Sequence, residues 1–186
     1  MNARPAIFLD RDGTLNVEVA MVATPEDLIP IEGIGAAVRA INDTGYLAIL
    51  VTNQAIIARG DCDSAGLRRI HAKLRATLEQ AGAHLDAIYY CPHHPDWGQA
   101  CNCRKPKPGM LLAAAKDFDI DLGRSWVIGD SAKDIELARN AGTRCALVRT
   151  GKGGADIGTE EMHAQPDGIF DTLGDAVTFV TGKAHS

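Results

Sequence analysis

The chain has 186 residues and carries 24 acidic against 19 basic side chains, a formal net charge of -5. That length suits one domain spanning 1–186 with a substantial core. The acidic balance argues against a nucleic-acid binder, and no apolar run approaches membrane-spanning length. The first five residues run straight into an apolar strand, so no signal peptide and a cytoplasmic location are expected. The five cysteines are then expected to be reduced, and a cluster of them reads as metal ligands rather than disulfides.

The first predicted strand, Ala6–Leu9, ends in Asp10-Arg11-Asp12-Gly13-Thr14. Residues two apart on a strand share a face, and Gly13 lets the chain turn away sharply. Asp10 and Asp12 can therefore address one small volume, where two acids either split their pKa values or bind a cation. The same residues also suit an Asx-type turn that caps a strand.

A helix is expected over 34–44, with Ala37, Val38 and Ile41 on one side and Gly45 as its stop. A second strand, Leu47–Val51, leads into Thr52-Asn53-Gln54. A longer helix is expected over 63–81, capped by Asp63 or Ser64, with Leu67, Ile70, Leu74 and Leu78 at helical spacing. His71 lies within it and carries no readable role, so the helix surface is its default. A third strand, Ala87–Tyr90, precedes Cys91-Pro92-His93-His94, and Cys101-Asn102-Cys103 follows. Cys91, His93, Cys101 and Cys103 form a set of three thiols and one imidazole, a normal composition for structural Zn²⁺. His93 is preferred to His94 because it stands two residues from Cys91. The predicted zinc loop, 91–103, runs straight into Arg104-Lys105, so a metal-pinned loop would place those two cations. Of the two other thiols, Cys62 has no company and Cys145 suits the core.

Proline at 108 opens a helix to Phe118. A fourth strand, Trp126–Ile128, ends in Gly129-Asp130, and a helix over 132–141 stops at Gly142. A fifth strand, Cys145–Val148, a short sixth, Ile169–Phe170, and a final helix over 172–180 complete the pattern. The Gly-rich stretch 151–165 reads as a mobile loop. Strand–helix alternation with short, continuously apolar strands implies an α/β fold: a doubly wound, mostly parallel sheet flanked by helices. In such sheets the site lies beyond the carboxyl ends of the strands, where Asp10, Asp12, Thr52, Lys105 and Asp130 then converge.

Four motifs, D-R-D-G-T at Asp10, T-N at Thr52, K-P at Lys105 and G-D-x-x-x-D from Gly129 to Asp134, resemble those of the haloacid dehalogenase (HAD) superfamily of aspartyl phosphotransferases. The resemblance implies a HAD-like Rossmannoid fold and a phosphatase. It implies Asp10 as nucleophile and Asp12 as general acid and then base. Thr52 and Lys105 would hold phosphoryl oxygens. Three acids around a phosphate call for a hard cation, and Mg²⁺ is expected on Asp10, Asp130 and the Asp12 carbonyl. Asp134 would orient Lys105 or metal-bound water, or simply favour the start of its helix.

The further runs Ile57-Ala58-Arg59-Gly60 and Tyr89-Tyr90-Cys91-Pro92-His93-His94-Pro95 resemble one branch of that superfamily. That branch holds the heptose-bisphosphate and histidinol-phosphate phosphatases. It implies no large cap domain, a small phosphorylated sugar as substrate and a monomer. It also implies a place in heptose precursor synthesis for lipopolysaccharide or surface glycans. Substrate contacts would come from Glu18, Val19, Ala20 and Met21, from Thr52, Asn53, Gln54 and Ala55, and from Arg104, Lys105 and Ser131. The fork of Arg104 would suit a second phosphate. The chain departs from the branch at 18–21, at Ala55-Ile56 and at Ser131, which removes polar groups from the loops that would meet a sugar. Histidinol phosphate is the alternative substrate, and a zinc-stabilised binding module is the alternative outside enzymes.

Overall fold

The structure, a computed structural model, describes residues 3–98, 100–152, 155 and 164–182. The expected mobile loop, 151–165, falls largely outside them. Six strands form one sheet: β1 (Ala6–Leu9), β2 (Leu47–Asn53), β3 (Ala87–Cys91), β4 (Trp126–Gly129), β5 (Arg144–Val148) and β6 (Gly168–Phe170). Their order is β3-β2-β1-β4-β5-β6, and every neighbouring pair is parallel.

Strand periodicity divides the core into two layers. Ile7, Leu9, Ala48, Leu50, Ile128 and Ala146 face one way, onto helices α1 (Ile34–Asn42), α3 (Ser64–Gln80) and α6 (Leu173–Thr181). Phe8, Ile49, Val51, Val127, Cys145 and Leu147 face the other way, onto α4 (Gly109–Phe118) and α5 (Ala132–Ala141). Both faces are covered, which is why the central strands read as unbroken apolar runs. Helices on both faces and switched strand order make the sheet doubly wound.

Several boundaries shift. Helix α1 stops at Asn42, with Asp43 rather than Gly45 at its end. Asp63 caps α3 by accepting the Gly66 N–H at 2.6 Å. A short helix, α2 (Ile56–Arg59), follows β2 where no helix was expected. It ends at Gly60, whose φ of 81° suits a residue without Cβ. His71 corrects the surface expectation. It stands four residues after Leu67, so it joins the inward stripe of α3. It packs edge-on against Tyr90, ring centroids 5.9 Å apart. Burial, with Arg11 nearby, pushes its imidazole down to about 4. None of the described helices is long and apolar enough to cross a membrane.

Candidate active site

The strand order reverses at β1, which lies between β2 and β4. Chains leave these neighbours in different directions, so a crevice opens beyond their carboxyl ends. Leu9 is level with Leu50 and Ile128. Asp10 follows Leu9 directly, and Thr52 and Asp130 stand two residues beyond Leu50 and Ile128, so the three rise together to one rim. The cleft there has a volume of about 160 Å³. Asp10, Asp12, Thr52, Asn53, Lys105 and Asp130 line it, with Glu18, Arg104, Ser131, Lys133 and Lys152 around them.

The turn after Asp10 is tightly wound. The Arg11 carbonyl accepts the N–H groups of Thr14, Leu15 and Asn16 at 3.3, 2.8 and 3.0 Å. Gly13 sits at φ 75°, and a Cβ there would overlap the Asp130 carboxylate. Gly151 meets the same carboxylate from the other side, and a Cβ on it would lie 2.6 Å from the Gly13 Cα. Thr150 closes this contact by donating its hydroxyl to the Gly13 carbonyl at 2.6 Å, and the Lys152 N–H donates to Asp130 Oδ2 at 2.6 Å.

Lys105 Nζ lies 2.7 Å from Asp10 Oδ2 and 2.7 Å from Asp134 Oδ1. Asp134 is fully buried, and its other oxygen accepts the Ser131 N–H at 3.2 Å and hydroxyl at 2.7 Å. Asp134 thus ties the start of α5 to Lys105. Asn53 ties the end of β2 to the same lysine: its side chain donates to the Lys105 carbonyl at 3.2 Å and accepts the Lys105 N–H at 3.0 Å. Burial alone would lower the Lys105 pKa, but the attraction of Asp10 and Asp134 outweighs it and the ammonium is held firmly protonated.

Burial pushes the Asp10 carboxyl up to about 8, with Asp134 and Asp130 adding to the rise and Lys105 opposing it. Burial also raises Asp130, to about 6, against the Lys152 N–H bond. One oxygen each from Asp10, Asp130 and Asp134 lie within 4.8 Å of one another. With all three acids ionised, three carboxylates against one ammonium would leave two negative charges unbalanced in a sparsely solvated cleft, and without a cation burial and mutual repulsion favour protons on Asp10 and Asp130. A divalent cation on hard oxygen ligands fits that deficit.

Asp12 turns its carboxylate to Arg11, Asn16 and Gln54. Arg11, almost wholly buried, grips it with Nε at 3.1 Å and Nη2 at 3.0 Å from Oδ1. The Asn16 and Gln54 amides donate at 3.0 Å each. Gln54 also donates to Thr52 Oγ1 at 2.8 Å. This cradle was missed in the sequence, where no role was expected of Arg11.

A second opening of about 140 Å³ adjoins the cleft and is lined by Glu18, Val19, Ala20, Met21, Gln54 and Ala55, with Arg59 from α2. The expected substrate contacts thus divide between two connected spaces. Arg104 stands on the opposite side and donates Nη1 to the His93 carbonyl at 3.0 Å.

Cys91, His93, Cys101 and Cys103 come together as a separate group. Cys91 Sγ lies 3.6 Å from Cys101 Sγ and 3.1 Å from Cys103 Sγ, and His93 Nδ1 lies 3.3 Å from Cys103 Sγ. These are edges of a small tetrahedron of soft donors, a set that could hold a metal and suits zinc. Burial and the bond from Cys103 push the Cys91 thiol up to about 12. Burial also acts upward on Cys101, but the Arg104 N–H and the neighbouring thiols outweigh it, and it falls to about 6. His94 turns aside, accepting the Asp96 N–H at 3.2 Å and packing on Trp97.

An acid at the end of the central strand, a lysine clamped between two carboxylates and an acid at the end of the next strand define a HAD-like hydrolase. A model described as HAD-hydrolase-like matches residues 102–176. D-glycero-D-manno-heptose-1,7-bisphosphate 7-phosphatase of Thermosynechococcus vestitus is 44% identical over 95% of each chain. D-glycero-beta-D-manno-heptose-1,7-bisphosphate 7-phosphatase of Escherichia coli K12 is 40% identical, over 92% of this chain and 91% of its own. The crystal structure of the D,D-heptose 1,7-bisphosphate phosphatase from B. bronchiseptica, complexed with magnesium and phosphate, superposes with a TM-score of 0.88. It is 35% identical, over 97% of this chain and 99% of that one. The chain belongs to this phosphatase family of the HAD-like hydrolases, and it is an enzyme that hydrolyses phosphomonoesters.

Proposed function

We propose that the chain, as one domain and a monomer, removes the 7-phosphate of D-glycero-D-manno-heptose 1,7-bisphosphate. The observation that carries the chemistry is Lys105, shared at 2.7 Å between Asp10 and Asp134 at the rim of the cleft. It fixes the Asp10 carboxylate where a phosphoryl group would be met and supplies positive charge to that group's oxygens. The names of the relatives support the substrate.

Asp10 attacks phosphorus in line, forming an aspartyl-phosphate as the bond to the sugar oxygen breaks. Asp12 gives that oxygen its proton, then takes one from the water that attacks phosphorus and frees Asp10. The bonds from Arg11, Asn16 and Gln54 fix the direction of the Asp12 carboxylate. Thr52 Oγ1 and Lys105 Nζ hold the phosphoryl oxygens. The Asp10 and Asp130 carboxylates and the Asp12 carbonyl would hold Mg²⁺, which neutralises phosphate charge. Cys91, His93, Cys101 and Cys103 would hold Zn²⁺ as a closed structural site that sets Arg104 at the mouth. All five cysteines are free, which suits a reducing compartment, the cytoplasm.

Histidinol phosphate fits less well. Its amine would need an acid at the mouth, and Glu18 there is paired with Lys152 at 3.3 Å. Phosphate release from heptose bisphosphate anomers and from histidinol phosphate, with Mg²⁺, tests the substrate. Preference for a heptose anomer is expected, and preference for histidinol phosphate overturns the reading. Asp10→Asn should abolish turnover on every substrate, and persistent phosphate release removes Asp10 as nucleophile.

A further inference from the structure

Asp12 must give and take a proton at one fixed point, so the group that aims its carboxylate needs support of its own. That group is Arg11, only 1% exposed. Its Nε and Nη2 lie along one edge of the guanidinium, and both are spent on Asp12. Nη1 lies on the opposite edge and faces away from Asp12, into the protein. It is buried and has no hydrogen-bond partner among the described residues. A buried guanidinium N–H is seldom left so, because nothing replaces its lost hydration.

Unpartnered acceptors are buried near it. Asn16 shares Asp12 Oδ1 with Arg11, so the two side chains adjoin, and Asn16 Oδ1 has no partner among the described residues. His71 Nε2 is in the same position. His71 comes from α3, between Leu67 and Leu74 on the stripe that faces the sheet. Its ring rests against Tyr90, and Tyr90 is level with Thr52 in the sheet. Thr52 is joined through Gln54 to Asp12. The imidazole therefore stands behind the cradle of Asp12. Burial and the charge of Arg11, opposed by Asp12 and aided by Arg75, keep it neutral. A neutral imidazole with its proton on Nδ1 offers Nε2 as an acceptor.

Arg11 Nη1 and His71 Nε2 make no direct hydrogen bond. One donor and two acceptors around a guanidinium match the bonding positions of a single buried water. We propose that His71 is a positioning residue for Asp12: through one buried water held between Arg11 Nη1 and its own Nε2, it completes the support of the guanidinium that aims the Asp12 carboxylate. Asn16 Oδ1 takes the second hydrogen of that water. The inference rests on the reading of Asp12 as general acid and base.

The consequence is chemical. As Asp10 bonds to phosphorus, the bond to the ester oxygen breaks and that oxygen leaves with the Asp12 proton. The need for this proton grows with the basicity of the leaving oxygen. Phenyl phosphate releases a basic phenolate, whereas p-nitrophenyl phosphate releases an oxyanion that is stable without a proton. kcat/KM covers the steps up to that departure, so the pair of esters reads the aim of Asp12.

His71→Leu keeps an apolar contact on Tyr90 and removes the acceptor. It should lower kcat/KM about tenfold for phenyl phosphate, a part of what a general acid supplies, and only about twofold for p-nitrophenyl phosphate. His71→Gln, which returns an acceptor near the place of Nε2, should restore most of the difference. A loss of fold would cost both esters alike. Crystals of the wild-type enzyme should show one water within hydrogen-bond distance of Arg11 Nη1 and His71 Nε2, and a gap without water overturns the bridge. Asp12→Asn separates the two readings. If it costs both esters equally, the general-acid reading fails and the role of His71 with it. If it discriminates between the esters while His71→Leu lowers both alike or neither, the role of His71 alone fails.

Discussion

Replacing Asp134 with Asn keeps the shape of the side chain and removes one charge from the Lys105 clamp. Asp134 is fully buried, receives Lys105 at 2.7 Å on one oxygen and takes two Ser131 donors on the other. An amide cannot satisfy both sides. If its oxygen faces Lys105, its NH₂ meets the Ser131 N–H. If it is flipped, the NH₂ meets the ammonium. Removing one partner of a buried pair costs about 3–5 kcal/mol. Lys105 keeps Asp10, so about 2 kcal/mol is expected here, or roughly 4–8 °C in Tm for a chain of this size. The freed ammonium also loses its aim, and a mispositioned charge-assisted contact lowers kcat/KM about 10- to 100-fold. Calorimetry and phosphate release measure the two effects. Ser131→Ala supplies the control, since it removes the hydroxyl bond but leaves the Lys105 pair, and costs about 1 kcal/mol. If Asp134→Asn loses no more stability than Ser131→Ala and keeps kcat/KM within about twofold of wild type, the clamp is not what holds Lys105.

Three other expectations are open to simple measurement. Asp10 and Asp130 have carboxyl pKa values raised to about 8 and about 6. The folded chain therefore favours their protonated forms, and without metal its stability falls as pH rises from about 4 toward about 8. Mg²⁺ must displace those protons, so the rise in Tm on adding Mg²⁺ should be larger at pH 8 than at pH 6; an equal rise at both contradicts the raised values. Gly151→Ala puts a methyl group against the Asp130 carboxylate and Gly13. It should weaken Mg²⁺ binding by calorimetry roughly tenfold, as disturbed supports of a metal ligand do, and unchanged affinity would show that the contact is slack. Stripping metal from the Cys/His group with a chelator should lower Tm and raise KM for the bisphosphate, because Arg104 hangs on the His93 carbonyl. Full retention of KM after verified metal loss would refute that link.

How much was legible in the sequence depended on range. Strand and helix periods are local, so the apolar runs at Ile7, Ile49 and Val127 and the stripe from Leu67 to Leu78 could be read directly. The chemistry at strand ends followed once a doubly wound sheet was assumed, because parallel strands bring their carboxyl ends to one edge. The Cys/His group was visible for the same reason: four soft donors within thirteen residues can meet without help from the fold. Boundaries were less secure, since α2 is a single turn, Ile56–Arg59, too short to carry a strong pattern.

Tertiary structure decided what depends on distant partners. No spacing links Lys105 to Asp134, 29 residues apart, or Thr150 to Gly13, 137 apart. The same holds for the burial of Arg11 and His71. Residue types and short-range periodicity determine which side chains reach the edge of the sheet. Which of them are paired, buried or left unpartnered there is set by the packing of three strand ends, α5 and the Cys/His loop. Only in that assembled, sparsely solvated space do their charges act on one another.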